Sequence, residues 1–345
     1  MDESIEFKTI NIDRIDETDK FFLMSCRTNL TTLKESIKRA GITSPLWVLN
    51  KGKNKYRLIN GFLRLKVAKD IGLEKIPVFV FYLRDLNNKN DLETLFSLAL
   101  EENLTVRRFN VVEISMVINS FFKNFGVTKD KIAKEVLPRL DLSPSVKLVR
   151  DLLKLNSFPI EVKKYIAKNE HSLKTSLKFG MFNEKEQILI VKFLSPLRLK
   201  ENYLLEFLEN IKDISLRDNM DIKDMLNQEI SQISKNEDIS TQKRVEMIRE
   251  KLKKMKYPIF NDLLKNFNLL KKNLKIPPEI KLLYPPYFEG DFYNITFSFK
   301  TKEELIKIID KLRDISKKEE IEELILLLHG KMRKLSVSVN ESDPY

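Results

Sequence analysis

The stretch GVTKDKIAKEVLPRLDLSPSVKLVRDLLKL, residues 126–155, decides how the middle of this 345-residue chain is read. It divides into two short helical segments around a tight connection. Thr128 is placed to N-cap the first, which puts Ile132, Ala133 and Val136 on one face. Ser143 is placed to cap the second, with Pro144 at its first position. The second segment has Val146, Val149, Leu152 and Leu153 on one side and Lys147, Arg150 and Lys154 on the other. A short helix, a turn, then a basic helix with a free polar face is the form of a helix-turn-helix, whose second helix enters the major groove of duplex DNA. On that reading Ser143, Ser145 and Lys147 lie near base edges and Arg150 nearer a phosphate, with Lys154 and Arg139 as further DNA-binding candidates.

The charge pattern points the same way. The chain carries 62 Lys or Arg against 50 Asp or Glu, a formal charge of +12. Residues 107–178 hold 15 Lys or Arg and 7 Asp or Glu, so +8 of that excess sits in the helix-turn-helix block. A basic concentration of this kind favours nucleic acid as a partner. The other source of such an excess is a lysine-rich composition throughout. Cys26 is the sole cysteine and the two histidines, His171 and His329, are far apart. That excludes an intramolecular disulfide and argues against a His/Cys metal site. Both histidines read as surface or cap residues. The acidic start, Met1 to Ser4, does not read as a signal peptide, and no apolar run approaches a membrane span. The expected location is cytoplasmic and nucleoid-associated, with no membrane partner.

Outward from the helix-turn-helix, the chain reads as several blocks. Residues 1–105 alternate strands and helices. Ile5–Ile10 is a strand, Leu30–Ala40 an amphipathic helix stopped at Gly41. Leu46–Leu49 and Tyr56–Ile59 form a strand pair. Gly61 opens a helix through Ile71, Ile76–Tyr82 is a buried strand, and a helix covers about 92–104. Residues 106–230 are nearly all helical, beginning at Asn110 or Val111. Residues 231–257 read as a charged linker or solvated helix. Residues 258–335 read as helix–strand–strand–helix. Their clearest signal is Tyr293, Ile295, Phe297 and Phe299 alternating with Asn294, Thr296 and Ser298. Two strands alone are marginal, and pairing with a second copy would give four strands and a shared core, so a homodimer is expected here.

The order of these pieces resembles the ParB family of chromosome and plasmid partition proteins. The resemblance rests on Ile10-Asn11-Ile12, Leu33-Lys34-Glu35-Ser36-Ile37, Gly41-Ile42 and Pro45-Leu46-Trp47-Val48. It continues through Leu58-Ile59-Asn60-Gly61-Phe62-Leu63-Arg64, Ile76-Pro77-Val78 and Glu102-Asn103-Leu104. The helix-turn-helix, Phe158-Pro159 and Tyr293–Leu312 complete it. It implies an α+β multidomain chain: a small α/β ParB/sulfiredoxin-like nucleotide-binding-type domain, an all-helical DNA-binding domain, and a C-terminal dimerisation domain. It also implies CTP and magnesium as ligands, duplex DNA as partner, and a ParA-like ATPase as a further partner.

In that family a Gly-Glu-Arg-Arg segment at a helix start and a Glu-Asn-x-x-Arg segment hold the nucleotide's phosphates. Free N–H groups at a helix start and bidentate arginines suit that task, and a Glu/Asn pair offers hard oxygens to magnesium. Here Gly61 and Arg64 match, whereas Phe62 and Leu63 stand where the family has Glu and Arg. Glu102 and Asn103 match, and are the expected magnesium ligands through the nucleotide. Val106 takes the family arginine's place, and Arg107 substitutes only if the register shifts by one residue. Arg27 and Thr28 correspond to nucleotide-contacting loop residues. The turn Leu137–Leu142 is about three residues longer than in relatives.

Phe62 can neither accept a proton nor bind metal, so no catalytic residue is assigned. At most slow CTP hydrolysis is expected, using Glu102 or a bound water. Two other readings compete with a CTP-gated partition clamp. One is a DNA-binding transcriptional regulator that has lost the nucleotide switch. The other is a ParB-fold nucleotide-dependent kinase or nuclease.

Overall fold

The computed structural model describes residues 5–27, 29–226 and 228–329. These fall into two compact units, one up to Arg249 and one from Glu250 on. The class is α+β: mostly helical, with a five-stranded sheet near the start and a two-stranded sheet near the end.

The first sheet comprises β1 (Ile5–Asn11), β2 (Ile15–Asp16), β3 (Leu46–Asn50), β4 (Tyr56–Asn60) and β5 (Lys75–Phe81), in the order β1-β5-β3-β4-β2. The apolar run at Ile76–Phe81 is an inner strand, antiparallel to β1 and parallel to β3. Leu46, Val48, Val78 and Val80 are fully buried. β3 and β4 form the expected antiparallel pair. Helix α1 (Thr31–Ala40) ends where Gly41 turns to φ 70°. Helix α2 (Phe62–Asp70) follows Gly61 at φ 100°. Both glycines occupy left-handed backbone that other residues enter at a cost.

Helix α3 (Lys89–Val106) starts at Asn88, whose side chain accepts from the Asn90 and Asp91 N–H groups. Helix α4 (Val111–Asn119) starts with a reciprocal capping box between Asn110 and Glu113 and widens into a π-turn through Ser120–Asn124. An aromatic cluster joins these helices. The Phe96 ring lies 5.3 Å from both Phe121 and Phe125. The same core includes Ile132, Val136, Val149 and Leu152, so the sheet and the helices through Leu152 share one apolar interior.

Helix α5 (Lys129–Lys131) is capped by Thr128 and widens into a π-turn at Ile132–Val136. Helix α6 (Val146–Asn156) is capped by Ser145, whose hydroxyl accepts from the Leu148 N–H at 3.2 Å. This corrects the expectation that Ser143 is the cap. Pro144 disfavours helical backbone at Ser143, and Ser145 is extended at φ −157°, ψ 116°. Helices α7 (Ile160–Asn169), α8 (Leu173–Ser176), α9 (Glu184–Leu194), α10 (Glu201–Asp218) and α11 (Ile222–Met225) follow. The stretch 231–257, read as a charged linker or a solvated helix, is largely helical: the end of α12 (Gln228–Lys235) and α13 (Thr241–Lys256). Its charges conceal the spaced apolar residues Val245, Ile248 and Leu252, which are buried.

The second unit contains α14 (Pro258–Leu274), β6 (Ile280–Leu283), β7 (Asn294–Phe297), α15 (Lys302–Ile315) and α16 (Glu319–Leu328). β6 and β7 pair antiparallel, and β6 buries Ile280 and Leu282. Phe267, Leu270, Ile315 and Leu324 form the core beneath them. β7 behaves differently. Ile295 is 47% exposed and Phe299, just beyond the strand, 50%. Ile306 and Ile309 of α15 are also exposed. The expected domain end at 335 lies outside the described residues, which end at His329.

His171 is not a surface residue. It is 3% exposed, and its ring centroid lies 5.6 Å from that of Tyr165. Burial pushes its imidazole below the usual value, partly offset by Glu201. The unfolded chain therefore binds a proton more readily than the folded one, so stability falls as pH drops below the ordinary histidine range. Thermal midpoints between pH 8 and pH 5 are expected to fall more steeply for the wild type than for His171→Phe. Parallel slopes would contradict this. His329 is exposed and caps α16, as expected.

Candidate nucleic-acid interface and nucleotide cavity

The exposed face of α6 presents Lys147, Arg150 and Lys154, spaced three and four residues apart and so on one side of the helix. The opposite side, with Val149, Leu152 and Leu155, is buried. The helix therefore has one face fixed in the core and one cationic face turned outward. Ser143 is exposed in the loop before α6, whereas Ser145 is half-buried and engaged as the cap. Lys154 lies across Gly180: a Cβ there would come within 2.8 Å of its Cε.

Arg139 points elsewhere. In the turn before α6, Pro138–Leu140 forms a 3-10 turn and Leu140 is buried. The Arg139 guanidinium donates to the Glu101 carboxylate at 2.7 Å and to the Ser97 carbonyl at 3.3 Å. Both partners are on α3. Arg139 thus ties the turn before α6 to α3, and this arginine already has partners within the chain.

A second feature is a cavity of about 350 Å³ in the sheet domain. It brings together Gly61, Arg64, Glu102, Asn103 and Arg107 from two separate stretches. Its size suits a small ligand. Gly61 approaches closely: a Cβ there would come within 2.7 Å of the Leu46 side chain. Arg64 donates to the Ser44 carbonyl and, at 3.2 Å, to the Pro45 carbonyl. Burial lowers its guanidinium from the ordinary value, partly countered by Glu102.

Asn103 donates from Nδ2 to the Ala99 carbonyl at 2.7 Å and to Asn60 Oδ1 at 3.0 Å. Asn60 Oδ1 also accepts the Gly61 N–H at 2.8 Å. With its amide donors engaged, Asn103 has its Oδ1 as the atom suited to a metal. Among the described residues no group of three or more His, Cys, Asp or Glu is arranged to hold a metal. Glu102 and Asn103 alone supply two hard oxygens. This fits a magnesium held chiefly by phosphates and water rather than by a protein cage.

Arg107 follows the end of α3 in extended backbone. It donates to Glu113 at 2.7 Å and to Ser25 Oγ at 2.9 Å, over the Phe109 ring. Arg27 donates to the Arg108 carbonyl at 2.9 Å and lies 3.9 Å from Glu113. Thr28 lies outside the described residues. Glu113, Ser25 and Asn60 escaped the sequence reading. Asn110-x-x-Glu113 carries the spacing of a capping box, which signals a helix start but not the reach of Glu113 to Cys26.

The model of the ParB N-terminal domain matches residues 2–104. That match spans the five-stranded sheet, α1, α2 and α3 up to Leu104. The chain is similar to the probable chromosome-partitioning protein ParB of Neisseria meningitidis serogroup A, 31% identical over 35% of this chain and 40% of the relative. The chain thus spans about 40% of that relative's length. The corresponding Vibrio cholerae protein is 24% identical over 68% of this chain and 74% of its own length. A C-terminally truncated ParB from Caulobacter crescentus, complexed with CTP-gamma-S, covers 54% of this chain and 97% of its own at 20% identity, with a TM-score of 0.24. Among the described residues, no helix is long and apolar enough to cross a membrane.

Proposed function

We propose that this chain is a ParB-type DNA-binding protein that reads duplex DNA through α6, acts as a homodimer, and serves DNA partition. The observation that carries the proposal is the pairing of a ParB N-terminal domain over residues 2–104 with an outward cationic face at Lys147, Arg150 and Lys154. Three cations on one helix match the phosphate spacing problem of a duplex: they neutralise backbone charge and release counterions. The exposed apolar residues Ile295, Phe299, Ile306 and Ile309 support dimerisation through the C-terminal unit. β7 has an edge on which a second copy's strand can pair. Two α6 helices would then face two half-sites. A ParA-like ATPase is the further partner that partition implies.

The cavity around Gly61 and Arg64 supports CTP with magnesium as its ligand, with Glu102 and Asn103 nearest the metal. In this role Arg64 binds phosphate, Gly61 lets the chain approach it, and Glu102 sets the local charge. A gated clamp follows if the nucleotide and DNA sites are coupled. The second reading, a DNA-binding regulator without the nucleotide switch, draws on Phe62, Leu63 and Val106 at family phosphate positions. Calorimetric titration with CTP and magnesium separates the two. Heat that disappears in Arg64→Ala supports the first.

Titration of a labelled duplex at two salt concentrations tests DNA binding itself. The logarithm of affinity is expected to fall steeply with the logarithm of salt. Replacing Lys147, Arg150 and Lys154 together by Ala is expected to reduce that slope by roughly 2–3, about 0.9 per lost phosphate contact. An unchanged slope, or no binding by the wild type, would refute the proposal.

A further inference from the structure

We infer that Arg107 is the cavity's arm for the phosphate tail of a nucleotide, and that Glu113 is the internal anion which an arriving phosphate displaces from it. This rests on the nucleotide reading above. The residue at the family arginine's place, Val106, is apolar and 77% exposed. Val106 and the next residue, Arg107, both line the cavity, and of the two only Arg107 carries a charge. Arg107 lies over the Phe109 ring, 4.3 Å from its centre, a support that leaves the planar guanidinium's edge for anions. Among the described residues, two of its five N–H groups are engaged, one with Glu113 and one with Ser25.

Glu113 is completely buried and therefore needs constant compensation. It has more than Arg107 supplies. The Cys26 N–H and the Asn110 N–H each donate to it at 3.1 Å. Arg27 lies 3.9 Å away. If Arg107 turns to a phosphate, Glu113 keeps one cation and two hydrogen bonds, so the exchange strands no charge. A phosphate offers Arg107 a bidentate partner in return. The carboxylate thus holds the arginine in place while the cavity is empty of anion, and weakens the grip the cavity has on one.

The test is calorimetric titration of full-length wild type, Arg107→Gln and Glu113→Gln with magnesium–CTP and, separately, with inorganic tripolyphosphate. Arg107→Gln is expected to bind both at least tenfold more weakly. Glu113→Gln is expected to bind tripolyphosphate at least threefold more tightly, because the competing charge is gone. Should Glu113→Gln not fold, Glu113→Asp keeps the buried charge but shortens its reach to Arg107, and the weaker contact is expected to shift tripolyphosphate affinity in the same, tighter direction. Unchanged affinity in Arg107→Gln overturns the inference alone. Weaker binding in Glu113→Gln at an unchanged melting midpoint also overturns it, since Glu113 would then be positioning Arg107 rather than competing for it. Absence of binding in the wild type and every variant overturns the nucleotide reading and the inference together.

Discussion

Truncation after Tyr257 is expected to yield a monomer whose affinity for a two-half-site duplex falls by about 10²–10⁴-fold. The magnitude is that of converting a second, intramolecular engagement into an independent one. The physical reason lies in β7 and α15. Ile295, Phe299, Ile306 and Ile309 stay exposed beside a core in which Phe267, Leu270 and Leu324 are buried. Burial of such side chains contributes about 1.5–3 kcal/mol each when complete. Several half-exposed ones on each copy give an interface of useful strength. Light scattering on the truncated chain checks the mass, and the duplex titration checks the affinity. Ile295→Lys in the full-length chain places a charge in the same face and is expected to act in the same direction. A truncated chain that remains dimeric would show that the C-terminal unit is not the dimer contact.

The second large effect is expected from Phe96→Ala. Phe96 is fully buried on α3 and packs against Phe121 and Phe125. Phe22, from the segment before α1, lies 6.3 Å away. Removing such a ring costs about 3–5 kcal/mol, a large share of the roughly 5–15 kcal/mol that holds a folded domain together. For a unit of this size the thermal midpoint is expected to drop by about 6–20 °C. The consequence reaches both sites. The last turns of α3 carry Glu102 and Asn103, and α4 packs along α6. A midpoint within 2 °C of wild type would mean that the cluster does not hold the sheet domain to the reader.

The strands and most helices were legible because their signals are local. Tyr293 to Phe299 alternates, and Ile76 to Phe81 is an unbroken apolar run that only an inner strand accommodates. Thr128 is followed by a periodic apolar face, and the structure gives it the cap. The α6 cap was misread because two serines flank Pro144, and only the backbone decides which one turns into the helix. His171 was misread because nothing in its neighbours signals burial. It is enclosed by elements folding around it, with Tyr165 beside it. Arg139 has no local mark of its partners, which lie 38 and 42 residues away on α3. The same holds for Glu113 and Cys26, 87 residues apart. Composition concealed α13, whose three buried apolar residues sit among many charges. Long-range polar pairing, rather than apolar pattern, is what the order of residues failed to disclose.

The central claim is that α6 reads duplex DNA in a sequence-dependent way. Cross-linking in cells, recovery of DNA bound to the wild-type protein, and sequencing of that DNA test it most directly, with a Lys147, Arg150 and Lys154 triple-alanine chain as reference. The account predicts recovery concentrated at a small set of sites sharing one sequence, lost in the triple variant. Uniform recovery across the genome, or the same sites in both proteins, would contradict it.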